Sequence, residues 1–180
     1  MHLEMTLVTV FGFAGLIANT IWPLITIRRY LLIGQIVACG LMFVHFYLLS
    51  AQTGAIVMLV AGSQALLALP LEKYPKFTYV YIISMLITPW LCWYSWNGYP
   101  SILSSAALII YCVANLHTKV RFIKSYLVLC IACWFGHNYL VHSMPGMISN
   151  VLALCTLSYS LFILHANRDA VAKRSTLVDP

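Results

Sequence analysis

The sequence predicts an all-α polytopic membrane protein, with seven transmembrane helices arranged as two parallel three-helix repeats joined by a linker helix. Three observations predict this fold class. The chain of 180 residues is 62% hydrophobic and only 8% charged, whereas a soluble domain carries about 25% charged residues. Its apolar segments are long enough to span a bilayer. Finally, the phrase HFYLLSAQTGAI, which begins at His45, is echoed by HNYLVHSMPGMI, which begins at His137.

The apolar segments each have about the 17–25 residues that a membrane-spanning helix needs. The turn-forming stretches AQTG, NGYP and SMPG precede the third, fifth and seventh segments. The start of the chain lacks both a basic region and a convincing cleavage site, so we expect the first segment to be retained. The seven segments cover residues 6–27, 31–50, 54–71, 77–96, 101–118, 122–142 and 147–166.

The basic residues test this helix count, because alternate loops of a seven-span chain lie on opposite sides of the membrane. Short loops rich in Lys and Arg stay in the cytoplasm. All ten Lys and Arg residues fall on one side of the seven-span arrangement, which places the amino terminus outside and the carboxyl terminus in the cytoplasm. They are Arg28, Arg29, Lys73, Lys76, Lys119, Arg121, Lys124, Arg168, Lys173 and Arg174.

The echoed phrase belongs to a longer duplication at an offset of 92 residues. It pairs Arg29 with Arg121 and Gly54 with Gly146, and gives seven identities in the 28 positions that start at Arg29. Because this offset spans four helices, both copies keep the same membrane orientation, as parallel transporter repeats do. The expected domains are the first three-helix repeat at 1–72, a linker helix at 73–99, the second repeat at 100–167 and a cytoplasmic tail at 168–180.

Two resemblances follow from these motifs. The stretch WPLITIRR at the end of the first segment resembles the SWEET and PQ-loop transporter superfamily, although Leu24 stands where that signature has glutamine. The runs VHFYLLSAQTGA and CWFGHNYLVHSMPGMI are similar to the bacterial inner-membrane YgjV-like family. This second resemblance implies a multi-spanning protein of the bacterial inner (plasma) membrane, and it brings no assigned activity with it.

Polar residues and prolines inside the spans are the first functional candidates. Asn19, Tyr111 and Asn115 are expected to face the interior of the bundle, because polar side chains facing lipid are costly. There they either bind solute or tie helices together. Pro23 and Pro89 lie inside the first and fourth spans, where a proline removes one backbone hydrogen bond. Each then serves as a hinge or merely curves its helix.

His45 and His137 lie about five residues before the outer ends of their helices. One interpretation is that each makes a helix–helix hydrogen bond within its own repeat. A second is that they flank the outer mouth of a central path beside Asn150, where they bind solute or take up a proton. A third, ligation of a haem by both rings, requires the two rings to point at one gap.

Several function classes lack support in the sequence. It offers no nucleophile–base pair, phosphate loop or acidic metal cluster, so we expect no enzyme, no metal site and no cofactor. The basic residues are not interleaved with aromatic ones, which argues against nucleic acid. Two classes remain: a SWEET-like facilitator of a small polar solute, and a non-transporting membrane scaffold or subunit. The expected partners are the lipid bilayer and a small polar solute, with a homo-oligomer left open.

The orientation can be tested with reporter fusions. A reporter that is active only in the cytoplasm should give activity when it is fused to the carboxyl terminus, and none when it is inserted after Gln52. A reporter that is active only outside the cytoplasm should give the opposite pattern. Reversal of both patterns would discard the orientation together with the loop assignment.

Overall fold

The computed structural model describes the backbone of residues 2–71, 73–117 and 119–178, and their side chains except those of 2–5, 164 and 166–178. Within these ranges the chain is all-helical, which confirms the all-α part of the predicted fold class. Two short 3₁₀ helices occupy Trp22–Leu24 and Pro75–Thr78. The α-helices are α1 (His2–Ile21), α2 (Arg28–Leu48), α3 (Gln52–Ala68), α4 (Tyr79–Tyr94), α5 (Tyr99–Asn115), α6 (Val120–Leu140) and α7 (Met144–Val178).

Length and hydropathy divide these helices into two groups. Among the described residues, five stretches are long and apolar enough to cross a membrane, whereas α3 and α5 are apolar but shorter. At 1.5 Å per residue a 17-residue helix is about 25 Å long, which lies at the lower limit for a span. The seven-span count therefore stays a prediction. The five long stretches are Thr6–Leu24, Arg28–Leu48, Pro75–Tyr94, Val120–Leu140 and Met144–Ile163.

The first helix ends earlier than the predicted segment. The α-helix stops at Ile21 and a 3₁₀ turn follows, so Pro23 lies just beyond α1 rather than within it. The reason is that proline has no N–H to donate to the carbonyl of the residue four positions earlier, Asn19. The chain then reaches α2 in an extended conformation at Ile27.

The last helix is longer than the predicted segment. It runs for 35 residues to Val178, so its backbone stays helical through most of the predicted tail at 168–180. Ala, Arg and Lys in this stretch are good helix formers. At the other predicted boundaries, α3 ends before residue 72 and α5 begins next to residue 100; Glu72 itself lies outside the described residues.

Six helices form a closed ring. Around the ring, α1 packs on α2, α2 on α3, α3 on α5, α5 on α6, α6 on α7 and α7 back on α1. Small buried side chains such as Ala65 and Ala107 let these helices approach closely, as is usual in lipid. We call the end of the ring where α2 begins, at Arg28, the basic end, and the end where α2 finishes, after His45, the histidine end.

Helix α4 lies outside this ring, against α5 and α3. Among its described residues only Tyr81 and Thr88 are buried. Trp90 and Trp93 are exposed, and Trp90 stacks on Tyr94 with ring centroids 5.9 Å apart. Exposed aromatic rings of this kind are typical of the membrane–water interface.

The turns after α2 and α6 have the same backbone geometry. Ser50 and His142, which are 92 positions apart, are the non-glycine residues with positive φ among those described. The N–H of the next residue bonds back to the helix in both turns, from Ala51 to the carbonyl of Phe46 and from Ser143 to that of Asn138. This pattern is the Schellman motif that commonly ends helices, and it sets the direction in which α3 and α7 start.

Two glycines allow the histidine rings to approach neighbouring helices. A Cβ atom on Gly12 would lie 2.8 Å from Nδ1 of His45, and one on Gly54 would lie 2.6 Å from Nε2 of His137. Real side chains do not tolerate such distances, and both rings are buried with little room to move. The approach of His45 to α1 and of His137 to α3 therefore depends on glycine, which has no Cβ atom, at positions 12 and 54.

Replacement of Gly54 by alanine should consequently destabilise the fold, although alanine favours helices over glycine by about 1 kcal/mol. Overpacking of this kind typically costs about 1–3 kcal/mol. Gly40→Ala is the matched control, because a Cβ there meets nothing within 4 Å and the change should be neutral or stabilising. Thermal unfolding of both variants in detergent measures the difference. A Gly54→Ala protein as stable as Gly40→Ala would contradict the close approach of His137.

Candidate functional site

His45 joins three helices at the histidine end. Its Nδ1 lies 2.9 Å from the carbonyl oxygen of Val8 on α1, and its Nε2 lies 2.8 Å from Oγ of Ser143. A carbonyl can only accept, so Nδ1 carries the proton and Nε2 accepts from the Ser143 hydroxyl. The Ser143 oxygen in turn accepts from the backbone N–H of Gly146 at 3.2 Å. This chain of hydrogen bonds holds the start of α7 against α1 and α2.

His137 repeats half of this arrangement. Its Nδ1 donates to the carbonyl oxygen of Pro100 at 2.9 Å, and this pair is 37 residues apart, as are Val8 and His45. Its Nε2 is buried and has no hydrogen-bond partner among the described residues. The position that corresponds to Ser143 at the 92-residue offset is Ala51, which offers no hydroxyl. A small cavity of about 10 Å³ adjoins Ala51 and His137.

Aromatic rings contact both histidines. Phe46 contacts both of them, with ring centroids 5.5 Å from His45 and 5.2 Å from His137. It also stacks on Trp134, with centroids 5.7 Å apart and planes only 7° from parallel. Each histidine makes a hydrogen bond to another helix within its own half of the chain, as the first interpretation requires.

A central cavity of about 100 Å³ lies within the ring, counted as the volume open to the centre of a water molecule. All six ring helices line it, whereas α4 contributes none of the described lining residues. None of those residues is Asp, Glu, Lys, Arg or His. Because one water molecule needs roughly 10–15 Å³ of such volume, the cavity has room for several waters or for one small solute.

The polar side chains of the cavity form two groups, with apolar residues such as Ala61 and Ile131 between them. One group lies towards the basic end and the other towards the histidine end, as their positions along the helices require. The groups are Asn19, Gln35 and Tyr111, and Asn138, Ser149 and Asn150.

Several of these polar atoms lack hydrogen-bond partners in the described part of the chain. They are Oε1 of Gln35, the hydroxyl of Tyr111, Oδ1 of Asn138, Oγ of Ser149 and Nδ2 of Asn150. A buried polar group that finds no partner costs about 1–3 kcal/mol. The cavity is therefore suited to water or to a solute that hydrogen-bonds to some of these five atoms.

The sequence-predicted residues divide between the cavity and its surroundings. Asn19, Tyr111, Asn150 and Pro23 line the cavity. Asn19 also accepts a hydrogen bond from the indole of Trp22 at 3.2 Å.

The other predicted residues lie elsewhere. His45 and His137 are not among the described lining residues. Asn115 is buried and donates to the carbonyl oxygen of Tyr111 at 3.1 Å, which ties down the end of α5. Pro89 is exposed on α4, away from the cavity.

Four residues escaped the sequence reasoning. Gln35, Asn138 and Ser149 line the cavity, and a polar residue within an apolar span, the signal used for Asn19, could have found them. The fourth is Lys124, which counted as a basic loop residue. It is buried within α6, and its Nζ donates to Oγ of Ser160 on α7. A buried ammonium group inside a span needs such a partner.

Metal and thiol chemistry find no further support. No cluster of three or more His, Cys, Asp or Glu side chains suited to a metal occurs among the described residues. The sequence CIAC occupies positions 130–133, and both of its cysteines are free thiols. Cys130 is buried, with its Sγ 3.3 Å from the carbonyl oxygen of Ala107.

Comparison with known proteins gives one match. The family model Imp-YgjV, described as a bacterial inner membrane protein, matches residues 6–168. No curated protein and no solved structure matches the chain.

The difference between the two histidines predicts opposite effects for two substitutions. Ser143→Ala leaves Nε2 of His45 without a donor and should lower the free energy of unfolding by about 1–3 kcal/mol. Ala51→Ser supplies a donor for Nε2 of His137 and should raise it by about 0.5–1.5 kcal/mol. The matched controls are Ser63→Ala and Ala132→Ser at exposed positions, which should change little. Equal effects of Ala51→Ser and Ala132→Ser on thermal unfolding would contradict the lack of a hydrogen-bond partner for Nε2 of His137.

Proposed function

The chain belongs to the Imp-YgjV family of bacterial inner membrane proteins, and from this premise we propose that it is a facilitator that moves a small neutral polar solute along the axis of its helical ring. The observation that carries the proposal is the uncharged central cavity with five polar atoms that have no partner among the described residues. A protein with only a structural role gains nothing from leaving such groups unsatisfied.

A parallel duplication, which transporters commonly use, is part of the proposal. Supporting it, α2 and α6 have the same length and begin and end 92 positions apart, and α3 and α7 begin 92 positions apart. The Schellman turns and the histidine–carbonyl pairs repeat at the same offset. The packing of α1 on α7 also matches that of α5 on α3, as a two-fold relation between the halves requires.

The distribution of polarity along the cavity supports transport rather than simple hydration. A polar group near each end provides two places where a solute replaces its lost water, and the apolar middle section keeps the solute from binding too tightly. The stacked rings of Phe46 and Trp134 are part of the cavity lining on the side of the histidine end.

The charge pattern supports the remaining parts of the proposal. The histidine end faces outwards and the basic end faces the cytoplasm, because Arg28 and Arg29 begin α2 at that end. With no Asp, Glu, Lys, Arg or His among the described residues of the cavity, we take the solute to be neutral and its movement to need no coupled proton. We propose no catalytic role and no nucleic-acid partner.

One observation favours a second function, a non-transporting membrane scaffold. Most of the cavity lining is apolar, and it includes the stacked rings of Phe46 and Trp134. A ring that never opens would still place α4 and its exposed tryptophans in the bilayer as a docking helix. The two functions differ in whether solute crosses the membrane.

The transport test uses purified protein in liposomes that swell when a neutral solute enters. Wild-type protein should speed the entry of at least one of glycerol, urea and isobutyramide above the rate of protein-free vesicles. Ala61→Phe and Ala153→Phe fill the cavity from opposite halves and should return entry to that background. Ala132→Phe, on the exposed face of α6, should leave the rate unchanged. Entry at the protein-free rate for every solute would favour the scaffold.

A further inference from the structure

The two halves of the ring contribute very different side chains to the cavity near the histidine end. On α6 and α7 these are Asn138, Ser149 and Asn150. The residues 92 positions earlier, on α2 and α3, also line the cavity, and they are Phe46, Val57 and Met58. One side of the cavity is therefore polar, and the side that corresponds to it in the other half is apolar.

Both sets of residues lie at the same level of the ring. Phe46 and Asn138 each precede the last residue of their helix by two positions, and Met58 and Asn150 each follow the first residue by six. The ring order places α2 and α3 across the axis from α6 and α7. A ligand at this level therefore contacts hydrogen-bonding groups on one side and apolar side chains on the other.

The polar side offers both kinds of hydrogen-bonding group. Oδ1 of Asn138 is an acceptor, Nδ2 of Asn150 is a donor, and the hydroxyl of Ser149 is either. All three atoms are buried and have no partner among the described residues. The room for Oδ1 of Asn138 comes from Gly146, where a Cβ atom would collide with it. A ligand that satisfies this side presents a donor and an acceptor next to each other.

We infer that this region, the Asn138–Ser149–Asn150 edge together with the Phe46–Val57–Met58 face, is a binding site for a neutral carboxamide that bears a small apolar substituent. The inference rests on the proposed transport function and names its substrate class. The amide N–H donates to Asn138, the amide carbonyl accepts from Asn150, and the substituent packs on Phe46 and Met58.

Other solute classes fit this site less well. A carboxylate has no N–H for Asn138 and finds no cation among the described cavity residues, and an ammonium compound finds no anion. A polyol satisfies the polar edge, but its remaining hydroxyl groups lie against Phe46, Val57 and Met58 without partners. Sites that leave polar groups of a ligand unpaired reject that ligand strongly.

The test compares isobutyramide, isobutyrate and glycerol, which have the same number of non-hydrogen atoms. Isobutyramide should raise the melting temperature of the purified protein in a saturable way, since a ligand of the folded state stabilises it. Isobutyrate and glycerol should do so only at concentrations at least about tenfold higher, the ratio that corresponds to about 1.4 kcal/mol.

Three variants locate the effect within the site. Asn150→Leu and Asn138→Leu should each weaken the isobutyramide response by about tenfold or more, since about 1.4 kcal/mol of binding free energy is lost. Met58→Asn puts asparagine, the residue found at the corresponding position Asn150, on the apolar side of the cavity. This variant should shift the binding preference from isobutyramide towards glycerol. This gain of a new preference cannot result from misfolding, so it keeps the test decisive if a leucine variant fails to fold.

The outcomes separate this inference from the proposed function. The carboxamide site is overturned if glycerol binds as tightly as isobutyramide does. It is also overturned if the isobutyramide response is unchanged in the Asn150→Leu and Asn138→Leu proteins. Solute entry through the protein in liposomes would then still support the facilitator. Stabilisation by isobutyramide without any solute entry supports the site and overturns the facilitator.

Discussion

Lipid offers no hydrogen bonds, and this constraint governs the rest of the structure. Every polar atom within a span must find its partner inside the protein or retain water there. Thr53, Ser95 and Ser101 follow this rule, because they form one buried network that joins α3, the end of α4 and the start of α5. At the other side of the ring, His45 and Ser143 join α1, α2 and α7 in the same way. These contacts tie the ring together at its histidine end.

The packing of small residues follows from the same constraint. The ring of His45 can reach the carbonyl of Val8 only if α1 and α2 lie close together, and Gly12 on α1 allows this approach. Gly54 on α3 leaves room in the same way for the other edge of the His137 ring. At the basic end the guanidinium of Arg28 donates to the carbonyl oxygen of Ala68 at the end of α3. The last carbonyls of a helix have no partner within it, so a cation at this position stabilises the helix end.

The sequence allowed the helices to be predicted better than the site. The turn signals and the apolar lengths predicted α2 and α6 to within about three residues at each end, because local chemistry determines where a membrane helix stops. The partner of His45 could not be predicted, since Ser143 is 98 positions away and only the closure of the ring brings them together. Lys124 shows a similar limit: the charge rule predicts the end of the membrane that a lysine is near, and not whether a hydroxyl on the next helix lets it enter the protein.

The duplication was visible at some positions and hidden at others for a physical reason. The positions that are identical in both halves, such as His45 with His137 and Gly54 with Gly146, determine how neighbouring helices approach. Most of the corresponding pairs that line the cavity differ, as Phe46 and Asn138 do and as Met58 and Asn150 do. Ala61 and Ala153 are an exception, because both are alanine. Residues that set helix spacing must do the same work in each half, whereas a ligand without two-fold symmetry is bound better by two unlike walls. The similarity between the halves therefore describes the scaffold, and the differences between them describe what the cavity binds.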